Sequence, residues 1–254
     1  MNSPLKSPII SSKCESALKK LIPMGSIVHS FLLYDGNIES ELANSKRFVV
    51  AHTNNYVNFE FWHCLQQDPE RLAIIAGHFS PISSENIFDI LQKEWAKYPD
   101  PFMRSAMFYL LNQSSDLGYI SSGKLVEDLD LKRSIIKMKS FSNDNLHVQL
   151  DQEDNFIDSI KNIETQCDYI FLPVRSFSLN LLEEGKSIGL EQTKIIHKEL
   201  KNFIDNTDKK VILLYNYSNQ VIDLYKDNNI KIIDQWGRNT EITKFAKELL
   251  IANF

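Results

Sequence analysis

Short apolar runs rich in β-branched residues return along the whole chain, at Phe48-Val49-Val50, Tyr169-Ile170-Phe171-Leu172, Val211-Ile212-Leu213-Leu214, Ile230-Lys231-Ile232-Ile233 and Leu249-Leu250-Ile251. Runs this short and this apolar fit strands covered on both faces. The segments between them carry helical period, and strands that alternate with helices belong to a mainly parallel sheet. The pattern therefore restricts the chain to the α/β class.

The helices announce their own starts. Asp100-Pro101 supplies an N-cap and a first-turn proline, and Met103, Ala106, Met107, Leu110 and Leu111 follow as one apolar stripe. A preceding helix opens at Ser83 or Ser84, stops at Pro99, and is expected to carry Ile87, Ile90, Leu91 and Trp95 inward. Another is expected from about Glu191, with Ile196, Leu200, Phe203 and Ile204 on its apolar side. The stretch from Gln113 to Asn145 breaks this rhythm with Gly118, Gly123 and several serines, which reads as an insertion. The resulting division is 1–112, an inserted subdomain or flap at 113–145, and 146–254. The first dozen residues, rich in Ser and Pro, read as a poorly ordered arm.

Charge and cysteine content remove several classes of function. The net charge of −5 does not support a role devoted to nucleic acid, where phosphate neutralisation supplies much of the affinity. A local basic cluster of Lys124, Lys132, Arg133, Lys137 and Lys139 is either a solvated face balanced by Glu127, Asp128 and Asp130 or a phosphate-contacting patch. Cys14, Cys64 and Cys167 are too few and too scattered for a disulfide framework or a zinc cluster, and read as unreactive thiols. No apolar run approaches the roughly 20 residues of a membrane-spanning helix, and the N-terminus lacks a signal-peptide core, so a cytoplasmic location is expected.

In open parallel sheets ligands bind beyond the carboxyl ends of the strands, so the residues just after each run are the informative ones. Asp35-Gly36, after Ile27 to Leu33, is either an ordinary turn or a loop that lets backbone approach a cofactor. After the second strand stands His52, where a nucleoside site would want a carboxylate for the ribose hydroxyls. A neutral imidazole offers one acceptor and no anionic oxygens, so it reads as a satisfied or exposed histidine. Arg175, at the end of Tyr169 to Val174, is either a solvated strand-end residue or a ligand contact for an anion or a planar ring. His29, His63, His78, His147 and His197 show no metal-ligand spacing, and no serine elbow, P-loop or HExxH pattern occurs.

In order and content these features resemble the Dam-like, D12-class DNA adenine-N6 methyltransferases. Asp100-Pro101-Phe102-Met103-Arg104-Ser105-Ala106-Met107-Phe108-Tyr109-Leu110-Leu111-Asn112 is similar to that family's DPF-R-A-x-x-F-x-L-N helix. The end, from Lys247 to Phe254, is similar to its final E-x-L-I-x-N-[YF] strand, and Pro23-Met24-Gly25 is placed like its L-P-x-G lead-in. The resemblance implies a Rossmann-like, S-adenosylmethionine-dependent methyltransferase fold: a sheet of about seven strands with the last one antiparallel, plus a small inserted recognition subdomain.

The functional motifs of the family are altered. The E-P-F-x-G-x-G cofactor loop reads Ser30-Phe31-Leu32-Leu33-Tyr34-Asp35-Gly36, the ribose-binding D-x-N reads His52-Thr53-Asn54, and the catalytic D-P-P-Y reads Leu172-Pro173-Val174-Arg175. Gly36 and Pro173 are the surviving candidates for cofactor contact, Arg175 is a candidate ligand contact, and no catalytic residue or metal ligand is assigned. Methyl transfer to an exocyclic amine needs the extruded base held through that amine, and leucine accepts no hydrogen bond. The resemblance thus implies S-adenosylmethionine as cofactor, while the altered motifs imply that it is not bound. Bulky Leu33 and Tyr34 are expected to narrow the cofactor cleft. The reading is a degenerate DNA adenine methyltransferase homologue acting as a binding or regulatory protein, with DNA as the partner that the resemblance implies and the net charge does not support. An active S-adenosylmethionine-dependent enzyme with divergent motifs and an unrelated Rossmann-like nucleotide-binding module are the alternatives.

Overall fold

The computed structural model describes residues 3–6, 13–120, 123–126, 129–151, 156–163, 166–175 and 195–254. Its centre is a seven-stranded sheet made of β1 (Ile27–Ser30), β2 (Phe48–Thr53), β3 (Leu146–Leu150), β4 (Tyr169–Arg175), β5 (Val211–Asn216), β6 (Asn229–Asp234) and β7 (Ala246–Ala252). They lie in the order β3-β2-β1-β4-β5-β7-β6, parallel from β3 to β5, with β7 antiparallel between β5 and β6. This is the mainly parallel, seven-stranded Rossmann-like α/β sheet expected from the sequence, with an antiparallel last strand.

The apolar runs form strands because both sheet faces are covered. Alternate residues of β4 serve opposite cores: Tyr169 and Phe171 join one, Ile170, Leu172 and Val174 the other. Strand β3 was not anticipated. Its sequence Leu146-His147-Val148-Gln149-Leu150 alternates, and it is an edge strand with His147 and Gln149 exposed, so it lacks the continuous apolar character of the central strands.

Helices α1 (Glu15–Leu21) and α2 (Asn37–Asn44) flank β1 in sequence, and α3 (Tyr56–Gln67), α4 (Pro69–His78), α5 (Glu85–Glu94), α6 (Pro101–Ser114) and α7 (Lys132–Lys139) all fall between β2 and β3. The second half holds α8 (Phe156–Lys161), α9 (His197–Asn206) and α10 (Asn219–Leu224). The expected insertion at 113–145 lies within this helical excursion. Within that stretch Ile120, Leu131, Met138 and Phe141 are buried in the larger core, and α7 packs on α4.

Local signals hold at the caps. Asp100 accepts from the Phe102 N–H at the start of α6, and Ser84 from the Ile87 N–H at the start of α5. The face of α5 differs from expectation: it buries Phe88 and packs Leu91 against the core, followed by buried Trp95, while Ile87 and Ile90 are 44% and 58% exposed. Leu33 is also placed differently. It is buried in the larger core, so it does not stand in a cleft beside the sheet. The expected start of the later helix at Glu191 lies outside the described residues, and α9 runs from His197.

Candidate functional site

Strand β1 leads to β2 on one side while β4 lies on its other side, so the crevice between the carboxyl ends of β1 and β4 is the topological switch point where such sheets bind ligands. The residues arriving there are Ser30 and Phe31 after β1, His52 and Thr53 ending β2, Asp151 after β3, and Leu172 to Arg175 ending β4.

Parallel register brings His29 and His52 side by side. His29 Nδ1 lies 2.9 Å from His52 Nε2, and His52 Nδ1 lies 2.8 Å from Asp151 Oδ1. The His29 Nδ1 to His52 Nε2 contact needs one hydrogen, carried by one of the two facing nitrogens, and the other ring nitrogen of His52 faces the Asp151 carboxyl group. Both histidines are buried, and the Phe31 ring stacks on His52 with centroids 4.2 Å apart and planes 12° from parallel. Burial, and then the adjacent His52 ring, push the His29 imidazole down to about 4, which keeps it neutral. His52 is thus a satisfied histidine whose two ring nitrogens are both engaged.

The loop after β1 is fixed from several sides. Phe31 N–H donates to the Phe171 carbonyl and Leu33 N–H to the His52 carbonyl. The Asn58 side chain on α3 donates to the carbonyls of Leu33 (2.7 Å) and Tyr34 (3.2 Å). Gly36 has φ +68° and opens α2, and a Cβ there would lie 2.2 Å from the Trp62 ring. Its glycine character thus has a packing cause, the close approach of Trp62. Asp35 accepts from the Asn37 N–H, and buried Glu39 accepts from Ser30 Oγ at 2.7 Å. Sequence reasoning had singled out neither Glu39 nor Asp151; an acidic residue after an alternating run was the available signal for the second.

Strand β4 continues through the tetrapeptide Leu172-Pro173-Val174-Arg175. Leu172 and Val174 are wholly buried, packed in the core formed with Leu200, Val211 and Leu213. Pro173 is also buried, and it sits where the β4 to β5 register is irregular, a place that tolerates a missing N–H. The Arg175 backbone pairs with Tyr215, and its side chain lies outside the described residues.

Near the end of β5 a second polar set occurs. Tyr215 Oη lies 3.1 Å from His197 Nδ1 and 3.3 Å from Tyr225 Oη. Burial pushes both phenols up, Tyr225 to about 12, and pushes the His197 imidazole down, so the set is uncharged at neutral pH. Burial likewise raises the Cys64 and Cys167 thiols, which disfavours reactive thiolates there. Among the described residues no cluster of three metal-ligating side chains occurs. In the basic cluster, Lys139 pairs with Glu70 at 2.6 Å and Lys137 donates to the Ser3 carbonyl.

No family model matches the chain, and no curated protein matches its sequence. Three solved structures with which it can be compared are methyltransferases. Against a TehB-like SAM-dependent methyltransferase from Corynebacterium glutamicum it is 8% identical, covering 96% of this chain and 87% of the other, at a TM-score of 0.38. Against precorrin-6y C5,15-methyltransferase from Geobacter metallireducens the identity is 8%, the coverage 97% and 90%, and the TM-score 0.39. Against phosphoethanolamine N-methyltransferase 1 of Haemonchus contortus, in complex with phosphoethanolamine and S-adenosylhomocysteine, identity is 8%, coverage 96% and 41%, and the TM-score 0.37.

Proposed function

We propose that this chain is a methyltransferase-fold protein that does not methylate adenine in DNA and works as a binding or regulatory partner. The observation that carries this reading is the complete burial of Leu172 and Val174 in the apolar core. They occupy two of the four positions at which the resembled family holds the target amine and stacks the base. An acceptor or aromatic platform is missing there, and each lost preorganised partner of this kind typically costs about 10²–10³ in rate.

The cofactor side supports the same reading. S-adenosylmethionine would need acceptors for its ribose hydroxyls at the end of β2, and His52 has both nitrogens committed to Asp151 and His29. The described residues therefore do not fit the cofactor in the family's mode, and no step is derived through it. The acidic balance of the chain gives a DNA duplex no general attraction.

The test is transfer of labelled methyl from S-adenosylmethionine to adenine-containing duplexes, beside calorimetric titration with S-adenosylmethionine and its demethylated product. The expected result is neither incorporation nor saturable heat. One observation favours a second reading, a cofactor-binding enzyme with divergent motifs: Asp151 brings a carboxylate next to the end of β2 from the neighbouring strand. Saturable binding lost in Asp151→Asn, with or without methyl transfer, would select that reading.

A further inference from the structure

A small cleft lies at the opposite edge of the sheet from β3, where β6 is the outermost strand. It is lined by Ser16, Ala17 and Lys20 of α1, Lys231 of β6, and Gly237, Arg238 and Asn239 of the turn that follows β6, and encloses about 220 Å³. Three of these seven residues are cations and none is acidic, in a chain with 33 acidic and 28 basic residues. Among the described residues the side chains of Lys20, Lys231 and Arg238 form no ion pair, although seven other lysines and arginines do.

The cleft is built by specific contacts. Buried Asp234 accepts from the N–H groups of Trp236 and Arg238, which folds the turn and sets the base of Arg238. Gly237 has φ +83°, and a Cβ there would lie 2.6 Å from the Lys13 carbonyl, so the turn closes directly against the chain entering α1. Lys13 is tied to the sheet by its N–H, which donates to Glu248 of β7 at 3.0 Å. Two neighbouring acidic groups are thus used inside the framework, Asp234 on its turn and Glu248 on the Lys13 backbone, while Glu15 of α1 lies on the Lys13 and Glu248 side.

We propose that this cleft binds a small phosphorylated ligand through its phosphate group, with Arg238, Lys231 and Lys20 as charge partners and Ser16 and Asn239 as neutral ones. A guanidinium beside two ammonium groups matches a tetrahedral dianion, because charge-assisted hydrogen bonds from several directions satisfy its oxygens. The volume falls below the roughly 300–1,000 Å³ of pockets for drug-sized ligands, so a phosphate or the head of a phosphomonoester fits and a whole nucleotide does not. A duplex backbone would need a longer basic stripe than these three residues provide. The site is separate from the switch point between β1 and β4, and it does not depend on whether the chain is an enzyme.

The test is calorimetric titration of the full chain with inorganic phosphate and with glycerol 3-phosphate at low salt, and with a short DNA duplex as the third arm. We expect saturable one-to-one binding of both small ligands, weakened about tenfold by Arg238→Gln and by Lys231→Gln and lost in the double variant. The same variants should keep the parent's thermal midpoint without ligand, and Lys132→Gln, in the other basic stretch, should bind as the parent does. Absence of saturation at about 10 mM phosphate, binding indifferent to both substitutions, or binding of the duplex alone would each overturn the proposal.

Discussion

His29 Nδ1 stands 2.9 Å from His52 Nε2, joining two imidazoles across adjacent parallel strands inside the protein. Because burial holds His29 near 4 while a free imidazole titrates near 6.5, the unfolded chain binds a proton there that the folded chain refuses. The sign follows from linkage. Stability from this group is fully present above about 6.5 and is lost as the pH falls from there toward 4, by about 3 kcal/mol at most. Urea unfolding at pH 7 and pH 5 should show the loss, and His29→Gln should show less of it. An equal pH dependence in the variant would remove His29 as its source.

Gly36 and Trp62 are coupled by contact. Gly36→Ala forces a side chain into a left-handed backbone conformation and against the indole, which should destabilise the fold by about 2–4 kcal/mol. Trp62→Phe in the same chain should return part of that loss by opening space. Denaturation midpoints of the two single variants and the double variant measure the coupling.

Leu172→Asp restores the first residue of the catalytic tetrapeptide of the resembled family, but it does so inside an apolar core. The substitution should cost about 4 kcal/mol or more, because the carboxyl finds no described partner among Leu200, Val211 and Leu213. Methyl transfer should not appear. A variant as stable as the parent would show that the strand end opens more readily than its packing implies.

Arg104 and Glu60 form a two-pronged ion pair between α6 and α3, in which Arg104 Nε donates to Glu60 Oε1 at 2.8 Å and Tyr56 Oη donates to Glu60 Oε2 at 3.1 Å. Arg104 also donates to the carbonyls of Tyr98 and Pro99 and so holds the entry to α6. Arg104→Met leaves a buried carboxylate without its cation and should cost about 3 kcal/mol. Adding Glu60→Leu should recover a large share, as thermal and urea unfolding can measure.

The chain's own pattern sets the class of fold, because continuous apolar runs such as Val211 to Leu214 have one stable destination, the middle of a covered sheet. It also determined the caps at Ser84 and Asp100, since an N-cap acts on N–H groups two or three residues away. Other features depend on distant neighbours. Strand β3 is one-sided and reads as a strand only once β2 is beside it, and the buried face of α5 follows from the packing around Phe88 and Trp95 rather than from its own periodicity. At the site, the absence of a carboxylate at position 52 was legible, but its partners were not. His29 and Asp151 lie 23 and 99 residues away along the chain and meet His52 only through the parallel register of three strands. The same holds for Leu172: its identity argued against the family's chemistry, whereas its complete burial was decided by the residues that α9 and β5 bring against it. Hydrogen bonds and packing act over a few ångströms in space, so a pattern along the chain fixes what is local and only the assembled sheet fixes the rest.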